Sequence, residues 1–334
     1  MVIVMAAGNE GKDVNKDGVI DPSSLLSPSL AKNCITVGAS ENKVLTGGIQ
    51  KKWSELKNGN VRWGAEPIAS DTPSDNENGI AAFSSRGPTT DGRIKPDLVA
   101  PGTNVLSARS HMPNASLLWG EYNEHYVWSG GTSMATPIVS GAATLVRQYY
   151  QEESKLSFVS AALIKATLIN GADDLYPGQF GFAKIKEIET QRPNIHEGWG
   201  RVNLQKTLFP ESRMVRFSDE AKGLGTGEMK EYGVEVDDIS EPLRLTLVYS
   251  DFPAALQAKK ALVNDLDLEI VSPAKKSYFP NGLKGPDRTN NVEHIDIEQP
   301  ELGAYIIRVV GYQVPQGNAE KKQPYAVVMS GHLK

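Results

Sequence analysis

The sequence predicts an α/β unit followed by an all-β unit, and two patterns carry that reading. Residues 1–208 alternate short apolar runs with helical stretches, the mark of a parallel sheet with helices packed on it. Residues 212–334 carry period-two runs separated by Pro and Gly turns, the mark of a β-sandwich. The chain has 334 residues, 40% hydrophobic and 22% charged, a globular balance with room for two units. Its 31 glycines and 20 prolines make it rich in turns. No apolar run approaches the roughly 18 residues needed to cross a bilayer. One cysteine, Cys34, excludes an intrachain disulfide framework and a Cys-based zinc site. A net charge of −5 argues against a nucleic-acid partner.

Residues 1–7 read as a buried parallel strand running into a turn at Gly8 and Asn9. A buried parallel strand usually has neighbours on both sides. The unit therefore reads as one whose front is absent, and no basic targeting segment opens it. Residues 34–39 read as a second strand and residues 97–102 as a strand end and turn. Between them, residues 46–78 read as a polar, Gly-rich surface excursion. Residues 138–150 and 159–170 have helical spacing. The boundary falls near Phe209-Pro210. Beyond it, strands are expected at 243–249, 265–271, 294–298, 305–310 and 325–329. With bare strand edges, 1–208 is expected to aggregate alone, whereas 212–334 is expected to fold alone.

Four segments carry chemistry. In Gly130-Gly131-Thr132-Ser133-Met134-Ala135-Thr136-Pro137, a serine precedes a helix with Pro137 placed in its first turn. Such a serine has an outward backbone N–H that can bind an oxyanion while Oγ attacks a carbonyl. Taken alone it also reads as an N-cap. In Ala6-Ala7-Gly8-Asn9-Glu10-Gly11, Asn9 sits at the C-terminal end of a strand, where α/β sheets place ligands. Its amide is a second oxyanion donor or a plain turn residue. Asp13, Asn15, Asp17, Gly18, Val19 and Asp21 match the front of an EF-hand-type calcium loop. The twelfth position holds Ser24 instead of Glu, so the alternative is an acidic Gly turn. Asp265 and Asp267 share a strand face and repel unless solvated or bridged by a cation, which would be calcium.

The Asn9 and Ser133 segments, with Phe83-Ser84-Ser85-Arg86-Gly87-Pro88 and residues 95–102 in order between them and Gly198-Trp199-Gly200-Arg201-Val202-Asn203 after, resemble the subtilisin-like serine proteases. The resemblance covers roughly residues 2–208. It implies an incomplete subtilisin-like parallel sheet, Ser133 as nucleophile and Asn9 as side-chain oxyanion donor. Ala7 and Gly8 would form a wall of the P1 pocket, with Glu10 at its rim. The calcium loop, together with residues 262–268 and 290–293, resembles the oxidatively stable alkaline subtilases that carry a jelly-roll domain after the catalytic one. Secretion, and protein or peptide substrates, are implied likewise.

The sequence departs from that family at the general base. Subtilases carry Asp, then His, before the oxyanion Asn. Here all five histidines, His111, His125, His196, His294 and His332, follow Asn9, and none stands in a matching motif. A serine hydroxyl without a base is a poor nucleophile. In subtilisin itself, loss of the Ser or the His costs about 10⁶ in turnover. The chain alone is therefore expected to be inactive, as the later part of an endopeptidase whose missing N-terminal segment carries Asp and His. The rival expectation is a non-catalytic binding module or pseudoenzyme, or a chain that docks to a partner supplying Asp and His.

Overall fold

A computed structural model describes residues 1–211 and 213–334. Ser212, the first residue of the expected β unit, lies outside the described residues. Strands β1 (Val4–Ala6), β2 (Ile35–Ser40) and β3 (Leu98–Pro101) form a parallel sheet in that order. Val4 lies opposite Ile35, and Val37 opposite Leu98. Central β2 is buried at every position, as its run of Ile, Val and Ala requires. Strand β1 differs from the expected buried strand. It lies at the sheet edge, and Met1 and Ile3 just before it are 97% and 48% exposed.

The excursion at 46–78 is more than a surface loop. It contains a short helix, α1 (Gly59–Arg62), between two 3₁₀ turns, and it buries Trp53 and Trp63. Their rings meet edge-on at 5.0 Å, and Trp53 meets Phe83 at 5.8 Å. Aromatic burial of this size anchors a loop that Gly-rich composition alone would leave loose.

Strands β4 (Val105–Ala108), β5 (Gly120–Glu121) and β6 (Tyr126–Ser129) make a small antiparallel sheet. Strand β6 leads into α2 (Thr132–Glu152), whose N-cap is Gly131. Ser133 is thus the second helical residue, not the cap. Pro137 lies a turn deeper than expected, inside the helix. Lacking an N–H, it cannot bond the Ser133 carbonyl. Ala135, Val139, Ala142 and Val146 pack one face of α2 into the core. The opposite face is bare: Ile138 and Leu145 are exposed, and a Cβ on Gly141 would meet nothing within 4 Å.

Helices α3 (Ala161–Asn170) and α4 (Leu204–Leu208) complete the first unit. Ser160 caps α3 by accepting the Leu163 N–H at 2.9 Å.

The second unit contains β7 (Met214–Leu224), β8 (Met229–Val236), β9 (Leu243–Val248), β10 (Asp265–Val271), β11 (Ser277–Tyr278), β12 (Val292–Ile297), β13 (Gly303–Gln313) and β14 (Gln323–Gly331). They form two four-stranded antiparallel sheets, ordered β12-β9-β14-β7 and β11-β10-β13-β8. Leu245, Leu247, Leu268, Ile270, Val309 and Val327 fill the space between them. The first sheet is covered on its outer face too. Val248, Val292, Ala326 and Val328 join the core of the α/β unit, where α3 packs on β14 and β9. Strands β7 and β8 went unread because charged and polar residues interrupt their alternation.

The two units therefore share an interface. Asn170 of α3 is buried and donates to Thr246 Oγ1 (3.2 Å) and the Val328 carbonyl (3.3 Å), while Ser330 Oγ donates to its Oδ1 (2.7 Å). Arg192 grips Asp296 with two bonds of 2.8 and 2.9 Å. Lys32 reaches Asp251 at 2.5 Å in a buried pair.

Candidate active site

Asn9 and Ser133 lie 124 residues apart in chain numbering from Gly8 to Thr132, yet the fold brings their segments into contact. Strand β1 ends at Ala6, and Gly8 turns the chain with a φ of 110°. A Cβ there would sit 2.9 Å from Ser85 Oγ, so glycine is required. Gly131, with a φ of 143°, turns β6 into α2. The Gly131 N–H donates to the Gly102 carbonyl at 2.7 Å, which fixes this turn against the end of β3.

Thr132 joins the two segments. Its backbone N–H (2.9 Å) and its hydroxyl (3.0 Å) both donate to Asn9 Oδ1, and its Oγ1 accepts the Gly8 N–H at 3.3 Å. Two donors on one oxygen fix the amide orientation. Oδ1 points to Thr132, so Nδ2 is left to face the Gly131 turn, 3.4 Å from where a Gly131 Cβ would stand. Ser133, the next residue, is exposed. As the second residue of α2 its N–H has no partner within the helix. A free amide N–H₂, a helix-terminal N–H and a hydroxyl thus lie along one stretch of surface. That set can attack a carbonyl and hold the resulting oxyanion.

Ala7 is fully buried and donates its N–H to the Val37 carbonyl at 2.9 Å. With Gly8 it lies beside Leu26, whose N–H donates to the Ala7 carbonyl at 3.3 Å. Glu10 is exposed, and its N–H donates to Ser85 Oγ at 3.1 Å. Arg62 and Trp63 brace the same loop and were missed from sequence. Arg62 Nη2 donates to the carbonyls of Asn9 (2.7 Å) and Gly11 (3.0 Å), and Trp63 Nε1 to that of Gly11 (3.1 Å). The Arg62 guanidinium lies 4.4 Å from the centre of the Trp63 ring. The signal was a tryptophan in a polar stretch, which needs a burial site.

Among the described residues, no histidine reaches Ser133. His111 and His125 pair with each other at 3.3 Å on the exposed arm of the small sheet. His196 is buried, and burial followed by the charge of Arg86 pushes its pKa down to about 3. His294 faces Thr246 and Asp296 within the unit interface, and His332 faces Ser240. None forms a hydrogen bond with Ser133 among the described residues.

The acidic loop closes on itself. Asp13 accepts the N–H groups of Asp17 (3.1 Å) and Gly18 (2.9 Å), Asp17 that of Val19 (2.9 Å), and Asp21 that of Val14 (2.6 Å). Asn15 Oδ1 accepts the Asp17 N–H at 3.1 Å. Gly18 takes a φ of 85°, the tight turn that a calcium loop needs at its sixth position. The donor set is hard oxygen, but no three acidic, His or Cys side chains converge as a metal cage among the described residues. Between Asp265 and Asp267, the pair that the sequence offers to calcium, stands the guanidinium of Arg288, bonded to Asp267 and 3.4 Å from Asp265.

The sequence profile of the subtilase family matches residues 1–200. The serine protease/ABC transporter B family protein tagB of Dictyostelium discoideum is 31% identical over 306 residues, covering 72% of this chain and 16% of that protein. The serine protease AprX of Bacillus subtilis is 30% identical over 212 residues, covering 62% of this chain and 35% of AprX. A solved lanthipeptide protease is 21% identical with a TM-score of 0.36, covering 62% of this chain and 50% of the other. The chain thus spans 16% of the length of tagB and 35% of that of AprX.

Proposed function

This chain belongs to the subtilase family, and from that premise we propose that it carries the nucleophile and oxyanion half of a serine endopeptidase site. One observation carries the reading: the double clamp of Thr132 on Asn9 Oδ1, which leaves Nδ2 free beside an exposed Ser133. In the reaction Ser133 Oγ attacks the peptide carbonyl and its proton passes to a base. The carbonyl electron pair moves onto oxygen, where Asn9 Nδ2–H and the Ser133 N–H receive it. The C–N bond then breaks, the amine leaves with the proton, and water releases the acyl group from Ser133.

The base and its orienting carboxylate come from a further segment or partner chain. The free edge of β1 and the bare face of α2, with Ile138, Gly141 and Leu145, support this. A parallel strand edge and an apolar helix face are the surfaces a neighbouring βα unit covers. That no histidine bonds Ser133 among the described residues favours a second reading, in which the chain alone binds peptides without cleaving them. On the first reading the substrates are proteins or peptides met outside the cell, and the two-sheet unit is a jelly-roll-like domain. Calcium would be held by Asp13, Asn15, Asp17, the Val19 carbonyl and Asp21. The hydrogen bonds they accept leave carboxylate lone pairs to spare.

The test is peptide hydrolysis by the 334-residue chain, alone and with a segment bearing the family's Asp and His motifs. We expect turnover only in the second case, and its loss in Ser133→Ala. Turnover by the chain alone that Ser133→Ala removes would overturn the external base. Inactivity of the complemented chain would overturn the peptidase reading.

A further inference from the structure

The arm of the small sheet carries a pair of imidazoles with a geometry that the peptidase chemistry does not use. The geometry points to a binding site for a borderline divalent transition ion, zinc, nickel or copper, held by His111 Nε2 and His125 Nδ1. These nitrogens lie 3.3 Å apart. Two nitrogens each about 2.0–2.1 Å from a tetrahedral zinc stand about 3.4 Å from one another. The rings are tilted by 59° with centroids 5.3 Å apart, so they converge without stacking.

The surroundings agree with that role. The other nitrogen of His125, Nε2, lies 3.1 Å from Glu124 Oε1. A carboxylate on the non-ligating nitrogen fixes the tautomer and raises the basicity of a metal-bound histidine. The Glu124 carbonyl lies 3.1 Å from His111 Nε2, close enough to contribute an oxygen or to orient a bound water. The arm is pre-set by bonds across it. The Arg109 N–H donates to the His125 carbonyl at 2.8 Å, and Arg109 pairs with Glu121. Beside the pair is an open hollow of about 470 Å³ lined by His111, Met112, Leu117 and Glu124, with room for water or a further ligand.

His111 Nε2 faces both the Glu124 carbonyl and His125 Nδ1, and an ion held between the imidazoles takes a lone pair from each facing nitrogen. The ion ties residue 111 to residue 125 and closes the segment between β4 and β6, which carries β5. Strand β6, which follows at once, runs on to the Gly131 turn and Ser133.

The test is calorimetric titration of the untagged, chelator-washed 334-residue chain with zinc and with nickel. We expect one ion per chain. His111→Gln and His125→Gln should each weaken binding at least tenfold. Glu124→Gln should weaken it by about 10-fold or more. His332→Gln should leave affinity unchanged, and millimolar calcium or magnesium should not compete, because those ions prefer oxygen. Both histidines are on the surface, so unchanged thermal melts will confirm that the variants fold. No binding at millimolar zinc and nickel would overturn the proposal, as would binding that both histidine variants leave intact.

Discussion

Thr132 decides which way the Asn9 amide points, and the oxyanion site depends on that choice. Its N–H and hydroxyl both donate to Oδ1. In the base-complemented enzyme, Asn9→Ala should lower kcat by about 10²–10³ with little change in KM, a range that comes from subtilisin's own oxyanion donor. Thr132→Val removes one of the two clamps and should cost roughly tenfold in kcat, with Thr132→Ser restoring it. Steady-state kinetics on one peptide checks both. Asn9 and Ser133 were legible because each sits in a local string of glycines and small residues. The clamp was not, because its two ends are 123 residues apart. A second residue effect concerns Asp71, whose carboxyl is pushed up to about 8 by burial and then by the charges of Asp75 and Glu187. The folded state holds this proton where the unfolded state has lost it. Its contribution to stability is therefore complete below about pH 4 and disappears as pH rises through 8. Asp71→Asn keeps an acceptor for Trp53 Nε1 and Gln179 Nε2. Its melting temperature should exceed that of the parent by about 2–4 °C more at pH 9 than at pH 5, as scanning calorimetry will read.

At the scale of elements, the acidic loop after Asn9 is the part whose role depends most on a ligand. Its tight turn at Gly18 and its oxygen-rich positions were read from spacing alone. The loop's own N–H groups occupy the carboxylates, and spacing could not show that. Calcium should raise the melting temperature, and Asp17→Ala should remove most of that rise. No calcium-dependent shift at millimolar concentration in a folded chain would count against the metal. The loop is tied to the oxyanion segment by Arg62, whose side chain bonds the Asn9 and Gly11 carbonyls and whose own carbonyl accepts the Asp13 N–H at 2.8 Å. Order gained in the loop therefore passes to Asn9 through α1. Helix α1 itself was unreadable, because four residues carry no periodic signal.

For the whole molecule, the decisive feature is that one β-sheet serves two cores. Strand β14 is buried at eight of its nine positions, with Val327 and Met329 facing the second sheet and Ala326 and Val328 facing α3. The run Ala326-Val327-Val328-Met329 carried that information, since a continuous apolar run means both faces are covered. Read as alternation, it gave the strand but not its second neighbour. The interface also holds polar groups that neither unit can satisfy alone. Without Asn170, the buried Ser330 hydroxyl loses its acceptor while Thr246 keeps His294, and without Asp296 the Arg192 guanidinium loses both its bonds to a carboxylate. An unpaired buried polar group costs about 1–3 kcal/mol, and a broken buried ion pair costs roughly 3–5 kcal/mol. The 334-residue chain should therefore melt in a single transition, with near- and far-ultraviolet dichroism superimposing. Residues 213–334 alone should expose Val248, Val292, Ala326 and Val328 and associate through that face. Asn170→Ala should lower the one melting temperature by several degrees without splitting the transition. Two separate transitions in the parent chain, or a monomeric and fully stable 213–334 piece, would show instead that the sheet needs only the inner of its two cores.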